Sequence, residues 1–384
     1  MADQPVKTPL VLLGNRSSIH CESKGVILIL SPWNFPFNLS LIPLVSAIAA
    51  GNTVLLKPSE FSPASSQLMV EIIHAVFEPH HARVVTGDAE LASYLTTVPF
   101  DHIFFTGSTN IGAKVMAAAA PNLTPITLEL GGKSPVVVDP TASLKAAAKA
   151  IVWGRFFNTG QTCVAPDYCL VHASIKDQLV ESLKQTIREY YSSRPDESDD
   201  YGAVISERQF EHVHSLLEDA RHKGSAEIHG GEVDASRRHI SPTLVVNPVE
   251  GARLHQEEVF GPILMIQEYQ SIEEAAHIIN NKSRPLSMYM FSKSKKNIKY
   301  IQEHTRSGSF TVNEAIIQFN NPHLPFGGIG ASGFGRGHGH AGFLEFTNQR
   351  SIMRKTWPIN TSFVVYPPYT KFKKRIAEIV LKWL

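Results

Sequence analysis

A long uncharged stretch, from Gly25 to Leu56, constrains the fold of this chain most strongly, because it contains no Asp, Glu, Lys or Arg. Its length would suit a membrane-spanning helix, yet helix breakers and turn residues interrupt it repeatedly. The interruptions leave two β-rich runs, at 26–30 and 53–57, on either side of an apolar helical segment at 39–50. The stretch therefore predicts a buried strand, helix and strand unit. The interrupting residues are Pro32, Asn34, Pro36, Asn38, Pro43, Gly51 and Asn52.

The same alternation of strand-like and helix-like runs continues through most of the chain. Strand-like runs at 82–85 and 102–105 and an alanine-rich helical run at 109–120 predict a parallel sheet that is covered by helices on both faces. A new series of alternating strand-like and helix-like runs starts at 136–138, which predicts a second α/β domain. The polar, turn-rich residues 192–240 predict surface loops around one helix.

Length and composition suit a two-domain globular protein. At 384 residues the chain exceeds the size at which a single core stops growing. Its 43% hydrophobic residues argue against disorder. The 36 basic and 35 acidic residues give a formal net charge of +1, which provides no electrostatic basis for nucleic-acid binding. We therefore expect a small-molecule substrate.

The cysteines and the first residues bear on the compartment. Cys21, Cys163 and Cys169 are an odd number without a CxxC pair, so neither a disulfide framework nor a zinc cage is indicated, and we expect no metal. The opening MADQPVKTPL lacks the apolar core of a signal peptide. A reducing compartment is expected, and secretion is not.

Two glycine-rich segments compete for a phosphate-binding role. The segment 327–333 contains a formal G-x-G-x-x-G match, but it follows a Pro-Phe pair and no helix-forming run succeeds it, so we reject it. The segment from Gly107 and Ser108 to Gly112 follows a strand and opens a helix, so its free amides can face a pyrophosphate. From these residues alone, an ordinary strand-to-helix turn capped by Ser108 is an equally good interpretation.

Four other residues are candidates because of their surroundings. Lys57 and Glu60 follow a predicted parallel strand, where both could reach a ribose and the carboxylate would favour NAD over NADP, although a solvated loop pair is the commoner arrangement. Cys163 follows a helix, where nearby amides can activate a thiol, and an inert buried thiol is the alternative. Glu129 lies in an apolar strand-like run, where a carboxylate is costly unless it is paired or functional. It is therefore a candidate general base.

Six motifs together resemble the aldehyde dehydrogenase superfamily in their order and approximate spacing, from about residue 2 to about residue 350. The APDY after the cysteine and the C-terminal layout are most similar to the class 3, fatty-aldehyde branch. The resemblance implies an α/β fold with a Rossmann-type NAD-binding domain at 1–130, a second α/β catalytic domain at 131–340, and a C-terminal segment with a basic tail at 341–384. The motifs are SPWNFPFNLSLIPLVSAIAAGNTVLLKPSE, FTGSTNIG, LELGGKSP, NTGQTCVAPDY, EEVFGPI and LPFGGIGASG.

The resemblance also implies roles for individual residues. Cys163 is the implied nucleophile, Glu129 the base that activates the deacylating water, and Asn34 an oxyanion donor together with the backbone amide of Cys163. The implied cofactor is NAD, with NADP as the alternative. The implied cofactor contacts are Lys57 and Glu60 at the adenosine ribose, Trp33, Gly107, Ser108 and Gly112 in the pyrophosphate region, and Glu258 and Phe260 on the nicotinamide side.

The chain departs from the family pattern at both ends. Family members begin with a block of helices that packs on the cofactor domain, and this chain is expected to lack that block, which would weaken stability and cofactor binding. In the tail, 369–384, Phe372, Ile376, Ile379 and Trp383 form a helical apolar stripe among basic residues. Such a helix suits an anionic membrane surface, and docking on the substrate entrance or on a partner subunit is an equal alternative.

Three functional hypotheses follow. The first is an NAD(P)-dependent aldehyde dehydrogenase that converts a medium-chain or long-chain aliphatic aldehyde to its carboxylate. We expect it to be a homodimer, either cytoplasmic or on the cytosolic face of the endoplasmic reticulum or mitochondria. The second is a relative that transfers the acyl group to coenzyme A, against which Glu129 argues because a water-activating base would waste that group. The third is a catalytically weak or structural homologue.

Overall fold

The computed structural model describes residues 3–9, 12–358 and 366–381 of the chain. In this part, the order of helices and strands confirms the predicted α/β fold class. The helices are α1 (Asn38–Ala49), α2 (Pro63–Val76), α3 (Ala89–Thr96), α4 (Thr109–Ala119), α5 (Leu144–Phe156), α6 (Lys176–Tyr191), α7 (Glu207–Lys223), α8 (Ile272–Asn280), α9 (Lys295–His304), α10 (Gly339–Glu345) and α11 (Lys371–Leu381). The strands are β1 (Gln4–Val6), β2 (Asn15–Ser23), β3 (Val26–Leu30), β4 (Thr53–Lys57), β5 (Ala82–Val84), β6 (His102–Gly107), β7 (Ile126–Leu130), β8 (Pro135–Val138), β9 (Tyr168–His172), β10 (Ser225–His229), β11 (Val233–Asp234), β12 (His239–Ile240), β13 (Thr243–Pro248), β14 (Ile263–Tyr269), β15 (Ser287–Phe291), β16 (Ser309–Val312), β17 (Gly333–Phe334) and β18 (Thr347–Lys355).

The uncharged stretch forms the centre of the first sheet, whose strand order is β17-β7-β6-β3-β4-β5. Strands β3 and β4 are parallel neighbours, and α1 connects them, which confirms the predicted unit. Successive side chains of β3 point to opposite faces: Ile27 and Ile29 belong to one core cluster, while Leu28 and Leu30 belong to the other. Both faces are buried, so the strand has no place for a charge.

The parallel strands of this sheet end along one edge. Leu30 at the end of β3 is in register with Lys57 of β4 and with Phe105 of β6, and Gly107 of β6 is in register with Leu130 of β7. The loops that follow these strands therefore start side by side. Ligands of open α/β sheets bind at such an edge.

The second sheet has the strand order β10-β13-β14-β9-β8-β15-β16, and all neighbours except β10 run parallel. Residues 131–134 connect the carboxyl end of β7 directly to the start of β8. Pro135 of β8 is in register with Tyr168, the first residue of β9, so the segment before β9 ends at the edge where β8 starts. Cys163 lies in that segment. The connection therefore brings the nucleophile candidate towards the carboxyl edge of the first sheet.

Two late segments are hydrogen-bonded to early ones. Strand β17 is antiparallel to β7, with Gly333 opposite Glu129. Strand β18 pairs along its whole length with β2, which also pairs with β1. The sequence analysis did not predict this three-stranded sheet. The domain boundaries proposed above remain a prediction.

The region 192–240 is more ordered than predicted. The expected helix is present as α7, which buries Phe210, Val213 and Leu217. However, the expectation that the remainder consists of loops was wrong, because β10 pairs with the buried strand β13, and β11 pairs with β12. Strands β11 and β12 span two residues each, too few for an alternating pattern to show in the sequence, and β10 is a five-residue strand at the edge of the second sheet.

Candidate functional site

A cleft of about 1540 Å³ lies where the carboxyl edge of the first sheet meets the first residues of the second. It brings together most of the site residues predicted from the sequence, which come from loops far apart along the chain. These residues are Trp33, Asn34, Gly107, Ser108, Glu129, Cys163, Glu258 and Phe260. The predicted residues Lys57, Glu60 and Gly112 lie outside its lining.

The loop before Cys163 has an unusual backbone. Asn158, Thr159 and Gly160 have positive φ angles of 51°, 54° and 73°. A Cβ on Gly160 would lie 2.2 Å from the carbonyl oxygen of Gly261, so both its φ angle and the available space require glycine. Non-glycine residues in such conformations cost of order 1–3 kcal/mol each and persist only where neighbouring contacts hold them.

Reciprocal hydrogen bonds hold this loop to the segment after β3. Nδ2 of Asn34 donates to the carbonyl oxygen of Gln161 at 3.0 Å, and Nδ2 of Asn158 donates to the carbonyl oxygen of Asn34 at 3.0 Å. Oε1 of Gln161 accepts from the backbone amide of Ile205 at 2.9 Å. The side-chain amide of Asn34 is thereby fixed beside the Cys163 loop. Because that amide carries two hydrogens, the second can point into the cleft.

The surroundings of Cys163 oppose ionisation of its thiol. Burial raises the pKa of this thiol to about 12, and the carboxyl groups of Glu129 and Glu258 contribute to the rise. The backbone amides of Cys163 and Val164 lower the pKa, as predicted for an activated cysteine, but burial and the two carboxyl groups outweigh them. A positive charge in the cleft would therefore strongly favour the thiolate.

Glu129 lies on β7 with 6% of its surface exposed. Burial raises the pKa of its carboxyl group to about 8, while Arg336 lowers it, Glu345 raises it and the backbone amide of Gly337 lowers it. A carboxyl group with a pKa near neutral pH can both accept and release a proton there. The environment thus suits a general base.

The start of α4 provides donors at the edge of the cleft. The hydroxyl of Ser108 accepts from the backbone amide of Ile111 at 3.4 Å and caps the helix. Oγ1 of Thr109 donates to the carbonyl oxygen of Ala331 at 3.1 Å, which joins the helix to the glycine-rich segment 327–333. The remaining amides of the first turn and the helix dipole suit a pyrophosphate.

The three predicted residues outside the lining have other contacts. Gly112 is buried on α4, and a Cβ there would lie 2.7 Å from the side chain of Leu130, so this glycine lets α4 pack closely on β7. Nζ of Lys57 donates to a carboxylate oxygen of Glu60 at 3.0 Å and to the carbonyl oxygen of Pro58 at 3.2 Å. Lys57 is buried at the end of β4, whereas Glu60 is partly exposed.

The loop that carries Glu258 and Phe260 faces the same cleft from the second sheet. Burial raises the pKa of Glu258 to about 7, and a hydrogen bond from the backbone amide of Gly132 acts against that rise. The ring of Phe260 contacts Trp33 edge to face, with ring centres 5.7 Å apart. The loop is therefore in contact with the segment after β3.

Buried charged residues that the sequence analysis did not select support this loop. Lys133 forms an ion pair with Asp167 and donates to the carbonyl oxygen of Glu257 at 2.8 Å. Asp167 also accepts from the backbone amide of Val259 at 2.9 Å, and Arg155 lies 4.0 Å from it. Lys133 belongs to LELGGKSP and Asp167 to APDY, so the motifs contained a signal for both residues.

The donors and rings of the cleft fit a nicotinamide dinucleotide. Free amides and a helix dipole suit the phosphates, Glu258 can accept from ribose hydroxyls, and Trp33 and Phe260 provide aromatic faces. Within the described residues, no group of three or more His, Cys, Asp or Glu side chains is placed to hold a metal ion.

Comparisons with known proteins agree with this geometry. The sequence model of the Aldehyde dehydrogenase family matches residues 4–352 of the chain. The chain is 43% identical over 369 residues to the 4,4'-diaponeurosporen-aldehyde dehydrogenase of Staphylococcus aureus, covering 96% of this chain and 80% of that protein. It is 43% identical over 354 residues to the dimeric NADP-preferring aldehyde dehydrogenase of Rattus norvegicus, covering 92% and 77%. The solved substrate-bound Staphylococcus aureus AldH superposes with a TM-score of 0.93 at 42% identity, over 98% of this chain and 82% of that one.

Proposed function

Because the chain belongs to the aldehyde dehydrogenase family, we propose that it oxidises a medium-chain or long-chain aliphatic aldehyde to its carboxylate through a thioester on Cys163. The observation that carries this proposal is the convergence of a thiol, a fixed amide and a buried carboxyl group in one cleft, from Cys163, Asn34 and Glu129. The similarity of the chain to the fatty-aldehyde branch supports the substrate class. The Staphylococcus aureus relative is itself named for an aldehyde substrate.

In the first step, the thiol of Cys163 releases its proton to water in the open cleft, and the resulting thiolate attacks the carbonyl carbon of the aldehyde and forms a carbon–sulfur bond. The carbonyl π electrons move to oxygen, which becomes an alkoxide. Nδ2 of Asn34 and the backbone amide of Cys163 are the donors for that oxygen, and one such donor is usually worth about 3 to 4 kcal/mol. The hydrogen bonds of Asn34 and Asn158 fix the first of these donors before the substrate arrives.

Bound NAD⁺ would supply the hydride acceptor and a positive charge that favours the thiolate. The alkoxide oxygen re-forms the carbonyl bond as the thiohemiacetal carbon gives up its hydrogen with both bonding electrons, which leaves a thioester on Cys163. The start of α4 at Ser108 would hold the phosphates of NAD⁺, and Glu258 and Phe260 would lie on the nicotinamide side. Lys57 and Glu60 would reach the adenosine ribose from the end of β4. A carboxylate at that position accepts from a 2′-hydroxyl and repels a 2′-phosphate, so Glu60 favours NAD over NADP.

In the final step, Glu129 removes a proton from a water molecule whose oxygen attacks the thioester carbon. The carbon–sulfur bond breaks, the carboxylic acid leaves and the sulfur of Cys163 is regenerated. A base in this position directs the acyl group to water. Transfer to coenzyme A is therefore the less favoured alternative, and a catalytically weak homologue is the other.

The proposal predicts that the full chain, supplied with NAD⁺ and a straight-chain aldehyde, forms NADH and free acid in equal amounts without coenzyme A. We expect kcat/KM to increase from short to long aldehydes, because each added buried methylene contributes about 0.8 kcal/mol to binding. NAD⁺ should be used better than NADP⁺. The measurements are NADH fluorescence and chromatography of the acid, with both cofactors and a series of chain lengths.

Three results would contradict different parts of this proposal. No turnover on any aldehyde would favour the catalytically weak homologue, while formation of an acyl thioester in the presence of coenzyme A would favour the transferase. A preference for NADP⁺, as in the name of the rat relative, would remove the proposed role of Glu60. Replacing Glu60 with glutamine provides the matched test, since it keeps the shape and removes the charge.

The proposal also includes a homodimer. It is supported by the similarity to the rat enzyme, which is named as dimeric. Sedimentation of the purified chain would show its oligomeric state.

The tail helix α11 is a candidate membrane-surface element. Phe372 and Ile379, two helical turns apart, are 66% and 53% exposed, and Lys371, Lys374 and Arg375 add positive charge. An exposed apolar stripe with basic neighbours suits an anionic lipid surface. Within the described residues, no helix combines the length and the apolar character needed to cross a bilayer. One residue of the predicted apolar stripe, Trp383, lies outside the described residues.

We expect the full chain to float with vesicles that contain phosphatidylserine and to float less with neutral vesicles. A chain ending at Pro368, or one with Phe372→Ser and Ile379→Ser, should stay at the bottom of the gradient. Equal flotation of the full and shortened chains would remove the membrane role and favour a tail that docks on protein. Aldehyde oxidation by the soluble fraction serves as the folding control.

A further inference from the structure

A second, much smaller cavity lies behind Glu129, on the side of α1 and α10. Its volume is about 20 Å³, and a cavity needs roughly 10–15 Å³ to hold one water molecule. Glu129 lines this cavity as well as the cleft, so its carboxyl group lies between the two spaces. The other polar residues of the lining are Asn38, Ser46, Thr106 and His338.

One oxygen of the Glu129 carboxyl group lacks a hydrogen-bond partner. Oε1 is fully buried and makes no hydrogen bond within the described part of the chain. A Cβ on Gly337 would lie 3.0 Å from this oxygen, and Gly337 lines the small cavity, so the oxygen faces the space that the absent side chain leaves. A buried carboxylate oxygen without a donor is costly, which calls for a partner at this position.

The neighbours of Glu129 do not supply that donor. The backbone amide of Gly337, which lowers the pKa of Glu129, donates its hydrogen bond to the carbonyl oxygen of Phe326 at 2.6 Å. The Arg336 guanidinium donates instead to the carbonyl oxygens of Gly328 and Gly335, both at 2.7 Å. Glu345 accepts from the hydroxyl of Thr127 and from the backbone amide of Arg336. The titratable and charged groups around Glu129 are Arg336 and Glu345 beside β17 and α10, His338 at the cavity, and Cys163 and Glu258 in the cleft.

We propose that the small cavity is a binding site for an ordered water molecule that donates a hydrogen bond to Oε1 of Glu129. The cavity has the volume for one such molecule and several polar groups that can hold its other hydrogen and its lone pairs. The water keeps a larger fraction of Glu129 ionised at a given pH, since a hydrogen bond to the ionised form lowers the pKa of the carboxyl group. This inference rests on the proposed role of Glu129 in deacylation.

Gly337 allows a matched pair of substitutions. Its backbone lies outside the left-handed region, and a Cβ there would lie 3.0 Å from Oε1 of Glu129, so a small side chain fits when that carboxyl group shifts by a few tenths of an ångström. Gly337→Ala fills the cavity with a methyl group and provides no donor. Gly337→Ser occupies similar space, but its hydroxyl can donate to Oε1 in place of the water. The pair therefore separates loss of the donor from crowding.

We expect Gly337→Ala to slow deacylation about tenfold or more at pH values below about 8, because loss of a charge-assisted hydrogen bond leaves less of the Glu129 carboxyl group ionised there. The first, rapid formation of one NADH per active site should persist, and the acid limb of the hydrolysis rate should move to higher pH. When no water donates to Oε1, burial raises the pKa of Glu129 towards about 8, so the ionised base is lost at a higher pH than in the unmodified enzyme. Gly337→Ser should recover most of the deacylation rate and the acid-side pH dependence of the unmodified enzyme.

Two outcomes of these rate measurements would overturn the proposed water site. Equal slowing by alanine and serine would mean crowding, and an unmodified rate in both variants would mean that Oε1 needs no donor. Thermal unfolding midpoints identify a variant that fails to fold. In that case, a high-resolution crystal structure of the unmodified enzyme decides, because no ordered water within hydrogen-bond distance of Oε1 overturns the proposal. The role of Glu129 itself is tested separately with Glu129→Gln, so the two failures are distinguishable.

Discussion

Replacing Cys163 with alanine is expected to abolish NADH formation on every aldehyde, by at least roughly 10⁴-fold. The sulfur forms the bond that converts the aldehyde carbon into a hydride donor, and the described residues of the cleft include no second thiol. Cys21 and Cys169 are buried in β2 and β9, outside the lining of the cleft. The measurement is NADH formation in a single turnover with enzyme in excess of aldehyde.

Two controls make this result specific. Cys21→Ala removes a different thiol and should retain the activity of the unmodified chain, because Cys21 lies in the three-stranded sheet. NADH binding by Cys163→Ala, followed by fluorescence, should show that the cleft is still formed. Residual NADH formation within tenfold of the unmodified enzyme would mean that the aldehyde is oxidised without a thioester on Cys163, which would end the proposed mechanism.

The parts of the fold that could be predicted from the sequence are those in which the local pattern of hydrophobic and charged residues matches the burial of the segment. The chain from Gly25 to Leu56 is uncharged because β3 is buried on both faces and α1 packs on one of them. Strand β18 provides no such pattern, since most of its residues are exposed and its partner β2 lies more than three hundred residues earlier. Its order comes from pairing with a distant segment, and a local reading of the sequence cannot detect that.

In the site, too, local sequence predicted some features, while others depend on contacts between distant segments. Motifs identified the residues that converge in the cleft, because each motif includes the end of a strand or helix or the loop that follows it. They did not reveal the contacts that hold those loops, such as the bond from Asn158 to Asn34 or the ion pair of Lys133 and Asp167. The electrostatics of Cys163 also differ from the expectation. Amides near the sulfur can be inferred from its position in a loop, but the opposing burial depends on how the two sheets meet.

Replacing Glu129 with glutamine should separate the two halves of the reaction. Glutamine keeps the size of the side chain but cannot accept the proton of water, so the acyl-enzyme should form and then persist. A general base usually contributes about 10²–10⁴-fold, and we expect steady-state acid formation to fall by that factor. A burst of one NADH per active site should remain, and mass spectrometry should detect the acyl group on Cys163. The exposed Glu71 of α2 provides a matched control as Glu71→Gln.

The pH dependence of deacylation, compared between the unmodified enzyme and Glu129→Gln, provides a second, independent test of the Glu129 carboxyl group. Burial raises the pKa of Glu129 to about 8, and a base acts only when it is ionised. Deacylation by the unmodified enzyme should therefore fall as the pH decreases, with a midpoint no higher than about 8, and the residual hydrolysis in Glu129→Gln should lack that limb. If the variant kept both the limb and the rate, another group would activate the water. Glu258, whose pKa burial raises to about 7 in the same cleft, would then be the next base to replace.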